Sequence, residues 1–178
     1  MAMNSYQEIY LSQAQESLGA SFDFAVNTMG LDLKEYYARF LANQVSLEFA
    51  RGNPVFVAGH SGIELALIVL GRDDAPETKI QLTKGKEYWT GWALAYYQWF
   101  RSLSFQEIDR FVSIKEIEAL YYPFHEMDIR QFVDKMDELI ASRNTETNLA
   151  RLRKNIAWSQ SDLAVASSVS KRTIQQYE

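Results

Sequence analysis

Residues 171–177, KRTIQQY, gather side chains that suit the edges of DNA bases. On a 100° helical wheel Ile174 and Tyr177 point to one side, which turns Arg172, Gln175 and Gln176 to the other with Lys171 at their edge. Arginine can grip guanine and glutamine can grip adenine through two hydrogen bonds each, and a helix fits the major groove of B-DNA. Such chemistry needs a short, well-anchored helix, and the residues ahead of it supply the punctuation. Ser170 is placed as an N-cap, Val169 before it as the plug of a tight turn, and Ser167 and Ser168 interrupt the preceding pattern. Ser159 with Asp162 makes a capping box for an earlier helix whose apolar contact is Leu163 and Ala164. Two short helices joined by a tight turn are therefore predicted over residues 159–178.

Leu149, Leu152 and Ile156 precede this segment at helical spacing. The joint pattern LRKNIAWSQSDLA, VS and TIQQYE, within residues 148–178, resembles the phage-repressor (Cro-like, XRE) helix-turn-helix family. The resemblance implies that Gln160 and Ser170 hold DNA phosphates and that Lys171, Arg172 and Gln176 face the bases. It also implies double-stranded DNA as the partner, bound by a homodimer. The chain departs from the family's pattern in two respects. Ser168 stands where the family usually has glycine, at a cost of about 1 kcal/mol or somewhat more if the turn needs positive φ. The family's domain also continues through two more helices, so the module is expected to be incomplete at its C-terminus.

Catalytic chemistry finds less support. Gly59, His60, Ser61 and Gly62 precede an apolar run, as in the nucleophile elbow of serine hydrolases, and residues 55–58 could form the strand before it. The elbow wants glycine two residues after the serine, and that position is Ile63. No series of alternating strands and helices surrounds it. Ser61 is better read as the cap of a helix through Glu64, with Ile63, Ala66, Leu67 and Leu70 inward and Gly71 as terminator. A serine hydrolase centred on Ser61 is thus the remote alternative. His60 and His125 are the only histidines, and neither belongs to a metal-ligand spacing. No glycine-rich phosphate loop occurs, so no catalytic residue, metal or cofactor is expected.

Charge is segregated along the chain. Residues 149–178 hold five bases and two acids, a net +3, so the total of −5 leaves −8 on residues 1–148. A basic terminal module suits phosphate, and an acidic body resists nonspecific adhesion to DNA. The chain has no cysteine, no basic-then-apolar leader and no apolar run of membrane-spanning length. A cytoplasmic protein without membrane attachment is expected.

The elements that must carry the module read as helices, giving an all-α fold: an N-terminal helical domain followed by a partial helix-turn-helix. Ser5 with Glu8 is expected to open a helix carrying Leu11, Ala14, Leu18, Phe22 and Ala25 that stops at Gly30. Asp32 with Glu35 opens a second, with Leu33, Tyr37, Phe40 and Leu41 on one face and Gly52 as its stop. Ile80 and Leu82 alternate with polar residues in a polar loop, which suits a short extended piece. In residues 86–102 the rings of Tyr88, Trp89, Trp92, Tyr96, Tyr97, Trp99 and Phe100 surround the helix, which places it centrally, and Gly91 could allow a close helix approach. Trp89, Trp92 and Tyr96 are the candidates for a partner or ligand surface. Ser104 with Glu107 and Ser113 with Glu116 cap two short helices that echo the terminal pair, but Glu116 and Glu118 would repel phosphate. Asp128 caps a last helix through Ile129, Phe132, Val133, Met136, Leu139 and Ile140.

Residues 1–143 are accordingly expected to form a protein-binding or regulatory domain, joined through a polar linker to a DNA-binding module at 148–178. The function expected is that of a sequence-specific, non-enzymatic transcriptional regulator. Its alternative is an antitoxin that holds a toxin through the N-terminal domain and its operator through the helix-turn-helix.

Overall fold

Small residues decide how closely the central helices meet. In the computed structural model, which describes residues 4–77, 79–143, 149, 153–154 and 156–177, no strand occurs among the described residues. The chain divides into two compact units, Met1–Met136 and Asp137–Glu178. No helix among the described residues is long and apolar enough to cross a membrane.

The first unit is built around α1 (Leu11–Asp23), which continues into a π-helical stretch, Phe24–Thr28. Helix α6 (Lys86–Arg101) crosses it backbone to backbone. A Cβ on Gly91 would lie 2.6 Å from the Leu18 carbonyl oxygen and 3.0 Å from Gly19 Cα, and one on Gly19 would lie 2.9 Å from the Tyr88 carbonyl oxygen. The start of α5 (Gly62–Leu70) meets α1 as closely, for a Cβ on Gly62 would fall 2.5 Å from the Ser17 carbonyl oxygen. The expectation that Gly91 permits a close approach therefore holds, and Gly19 is its counterpart.

Around this crossing lie α2 (Leu33–Ala42), α3 (Gln44–Ala50), α4 (Pro54–Val57), α7 (Phe105–Phe111), α8 (Ile114–Ala119), α9 (Tyr121–Phe124) and, as far as Met136, α10 (Ile129–Arg143). Phe22 meets the rings of Tyr36, Tyr37 and Phe40 edge-on at 5.6 to 6.2 Å, and Phe105 closes the cluster at 5.0 Å from Phe40. Trp89 packs against Phe132 of α10 at 5.3 Å, which makes the aromatic helix a core element as predicted. Such edge-to-face pairs add to simple burial because ring edges and faces carry opposite partial charge. The buried Gln98 amide donates to Ser5 Oγ and to the carbonyls of Ala50 and Leu103, tying three chain segments together.

Four expectations are corrected. Ser5 does not cap a helix with Glu8, because its hydroxyl is engaged by Gln98. The helix expected to run from Leu33 to Gly52 breaks at Asn43, whose extended backbone and side chain accepting from Val45 N at 3.0 Å start α3 afresh. Residues 54–57 are helical and not a strand, since Asn53 accepts from Val55 N and Pro54 sits at a first-turn position where its missing N–H costs nothing. Ile80 and Leu82 form no strand. Their segment is instead strapped to the end of α1 through reciprocal bonds between Thr28 and Gln81, and through Asp23.

The Ser61 cap is present in full. Glu64 N donates to Ser61 Oγ at 3.3 Å and Ser61 N donates to Glu64 Oε2 at 2.7 Å, while Gly71 ends α5 at φ 64°. Ser61→Ala is expected to lower stability by about 1 kcal/mol and Ser61→Asp to restore most of it. Covalent labelling of Ser61 by a fluorophosphonate would overturn the capping role. The N–H of Ser61 holds Glu64 below its ordinary value of 4.5, and the N–H of Ser104 does the same for Glu107. A carboxyl lowered in the folded state adds stability that is complete above its unfolded value and is lost as pH falls through its folded one. Urea titrations of Glu64→Gln should therefore converge on the parent below the ordinary glutamate range and diverge above it.

Candidate nucleic-acid interface

The second unit places its exposed polar row by a chain of local end signals. Arg153 and Lys154 are helical, and the chain then turns through Ala157 at φ 55°. Trp158 N donates to the Arg153 carbonyl at 3.1 Å and Ala157 N to that of Lys154 at 2.9 Å, the paired bonds of a Schellman ending. Ile156 thus lies in a turn and is 57% exposed, a correction to its expected place on the helical face. Leu152 lies outside the described residues.

Helix α11 (Gln160–Ser167) opens on the predicted box: Asp162 N donates to Ser159 Oγ at 3.1 Å and Ser159 N donates to Asp162 Oδ2 at 2.8 Å. The Ser159 hydroxyl and N–H hold the Asp162 carboxyl below the usual aspartate range. Ser168 ends α11 at φ 56°, the left-handed conformation for which glycine is better suited. Ser168→Gly is expected to stabilise the second unit by about 1 kcal/mol. A lowered denaturation midpoint for that variant would mean that the Ser168 side chain has a role the backbone strain conceals.

Ser170 caps α12 (Lys171–Tyr177), its Oγ accepting from Thr173 N at 3.1 Å and lying 2.8 Å from Thr173 Oγ1. Ile174 is the one buried residue of α12, at 3% exposure. Tyr177 lies on the side of Ile174 as predicted but is not buried. It is 67% exposed and lines, with Leu149, Leu163, Val169 and Ile174, an open apolar groove of about 300 Å³. Val169 belongs to that groove and is likewise exposed, so it does not plug the turn completely.

Lys171, Arg172, Gln175 and Gln176 are all exposed on α12, with Arg172 and Gln176 on the side opposite Ile174 and Lys171 at the edge of the row. Ser170 is exposed just before them, and Gln160 is half-buried at the first position of α11. The single acid on these two helices, Asp162, is occupied by the Ser159 cap. Exposed bases and amides therefore share a short helix whose other side is apolar, an arrangement able to donate to phosphates and base edges.

The aromatic candidates part company in the first unit. Trp89 and Trp92 line one cavity of about 320 Å³ together with Tyr121, Phe124, His125 and Lys84. Tyr96 is elsewhere, stacked on Phe100 at 5.8 Å and tilted against Trp99. Sequence reading missed Tyr121, Phe124 and His125. Their spacing of three and four was the signal, obscured by Pro123 between them.

Comparison with known protein families, with curated proteins and with solved structures finds no match for this chain.

Proposed function

We propose that the protein is a sequence-specific DNA-binding regulator of the phage-repressor (XRE) type, which reads duplex DNA through α12. One observation carries the reading: Arg172 and Gln176 stand exposed, with Lys171 exposed beside them, on a capped helix whose opposite side buries Ile174. In this role Arg172 and Gln176 address base edges with Lys171 beside them, while Gln160 and Ser170 hold backbone phosphates. Two copies would engage half-sites roughly 10 base pairs apart, and the cysteine-free chain would work in the cytoplasm.

The test is selection of duplex sequences by the full chain, followed by titration of the selected and a scrambled duplex at fixed salt. Arg172→Ala should weaken the selected duplex by about 1 to 3 kcal/mol and narrow its advantage over the scrambled one. Gln160→Ala should weaken both alike. Equal losses on the two duplexes for Arg172→Ala would remove it from base reading.

The net −8 on residues 1–148 favours a second reading, in which the same protein is an antitoxin whose N-terminal unit holds a basic toxin. Co-expression with the product of an adjacent small gene separates the two, since only an antitoxin would form a stoichiometric complex that relieves toxicity.

A further inference from the structure

The open aromatic cavity of the first unit has one lysine in its lining, the exposed Lys84. Trp89, Trp92, Tyr121 and Phe124 provide rings, and Lys84 stands among the lining residues with its Nζ 5.5 Å from the centroid of Tyr88, another lining ring. No carboxylate is among the described residues that line the cavity, although Glu126, outside the lining, lies 3.6 Å from His125 Nε2.

Packing alone does not call for lysine at this position. Lys84 has φ 50°, a left-handed conformation that glycine holds with less strain. It is pinned there by Asp23, which is 0% exposed and whose Oδ2 accepts from Lys84 N at 2.7 Å while Oδ1 accepts from Thr83 N at 3.2 Å. A strained residue kept in place by a buried carboxylate is the kind of outlier that points from structure toward function. The far wall is fixed as well. His125 stacks on Tyr121 at 4.3 Å with its Nδ1 2.9 Å from the Tyr121 carbonyl, and because a carbonyl only accepts, Nδ1 carries the proton.

We propose that this cavity binds a planar aromatic carboxylate of one or two fused rings, with the ring against the indole and phenol faces and the carboxylate on the Lys84 ammonium. Ring walls select a flat π system, and the ammonium gives the site its sign. An aromatic cavity without such a cation would suit a quaternary ammonium, which Lys84 repels. A volume of about 320 Å³ sits at the small end of ligand pockets and suits one or two fused rings. All its residues belong to the first unit, whereas the residues proposed to read DNA belong to the second.

The experiment uses the full chain with three probes of one shape: 2-naphthoate, neutral 2-naphthamide and the 2-naphthylmethylammonium cation. Calorimetry should give naphthoate at least a tenfold advantage over the amide and no binding of the cation. In ¹H–¹⁵N spectra the indole signals of Trp89 and Trp92 should move. That of Trp99, which donates to the Tyr6 carbonyl at 2.8 Å, should not. Lys84→Gly should keep the melting temperature, since glycine suits the backbone there, yet lower naphthoate affinity at least tenfold, to the level of the amide. Equal binding of naphthoate and amide to the parent protein would overturn the proposal whatever the variant does. So would unchanged naphthoate affinity in Lys84→Gly, or no movement of the Trp89 and Trp92 signals at millimolar naphthoate.

Discussion

Gly91→Ala is expected to destabilise the first unit by about 3 kcal/mol, against a helix-propensity gain of about 1 kcal/mol that the same change brings at an ordinary helical position. The sign is decided by what the new methyl meets. Its neighbours at 2.6 and 2.9 Å are the Leu18 carbonyl oxygen and carbon, backbone atoms of α1 that cannot rotate aside as a side chain would. Relief requires α1 and α6 to separate, which loosens the packing of Leu18, Phe22, Leu94 and Tyr97 along the crossing. For a chain of this length the loss corresponds to a fall in melting temperature of roughly 6 to 12 °C. Gly85→Ala is the control, because its methyl would meet only Thr83 Oγ1 at 3.3 Å and Glu87 Oε2 at 3.8 Å. Equal melting temperatures for Gly91→Ala and Gly85→Ala would show that the two helices do not touch at their backbones.

Asp23→Ala should cost about 3 to 5 kcal/mol, because it removes the acceptor of several donors at once. The carboxylate is wholly buried and accepts from Thr83 N, Lys84 N, Thr83 Oγ1 and the Asn27 side chain. Two backbone N–H groups lose their partner, and the segment around residues 79–84 can recover hydration only by leaving the end of α1. The variant should therefore show faster proteolysis in that segment than in α1 or α6, alongside its lower urea midpoint. Asp23→Asn is expected to rescue little, since its amide NH₂ would face a donor on one side. A stability loss below about 1 kcal/mol with unchanged cleavage would mean that the strap is held by Thr28 and Gln81 alone.

Local punctuation was legible in the residue order because it acts within three or four residues. The Ser61–Glu64, Ser104–Glu107 and Ser159–Asp162 boxes are formed, and Asp32 and Asp128 accept from the N–H groups two residues on. The exposed row on α12 was legible for the same reason, since one buried residue, Ile174, sets the orientation of a seven-residue helix. A Ser–Glu pair is only an offer, however, as Ser5 shows: Gln98, 93 residues away, takes its hydroxyl instead. The break at Asn43 and the exposure of Ile156 and Tyr177 depend on how a helix ends and on what packs beside it, and periodicity carries neither. The residue order by itself therefore determined that the chain is helical, where most of its helices start and which side of α12 is polar. Tertiary structure alone decided that Gly19 and Gly62 are crossing points beside the expected Gly91, that Asp23 holds a strap 60 residues away, and that Trp89 and Trp92 share a cavity with Tyr121 and Lys84 while Tyr96 does not. The physical reason is range: capping and periodicity are energies between near neighbours, whereas a close crossing or a buried carboxylate acquires its energy only when distant segments arrive together.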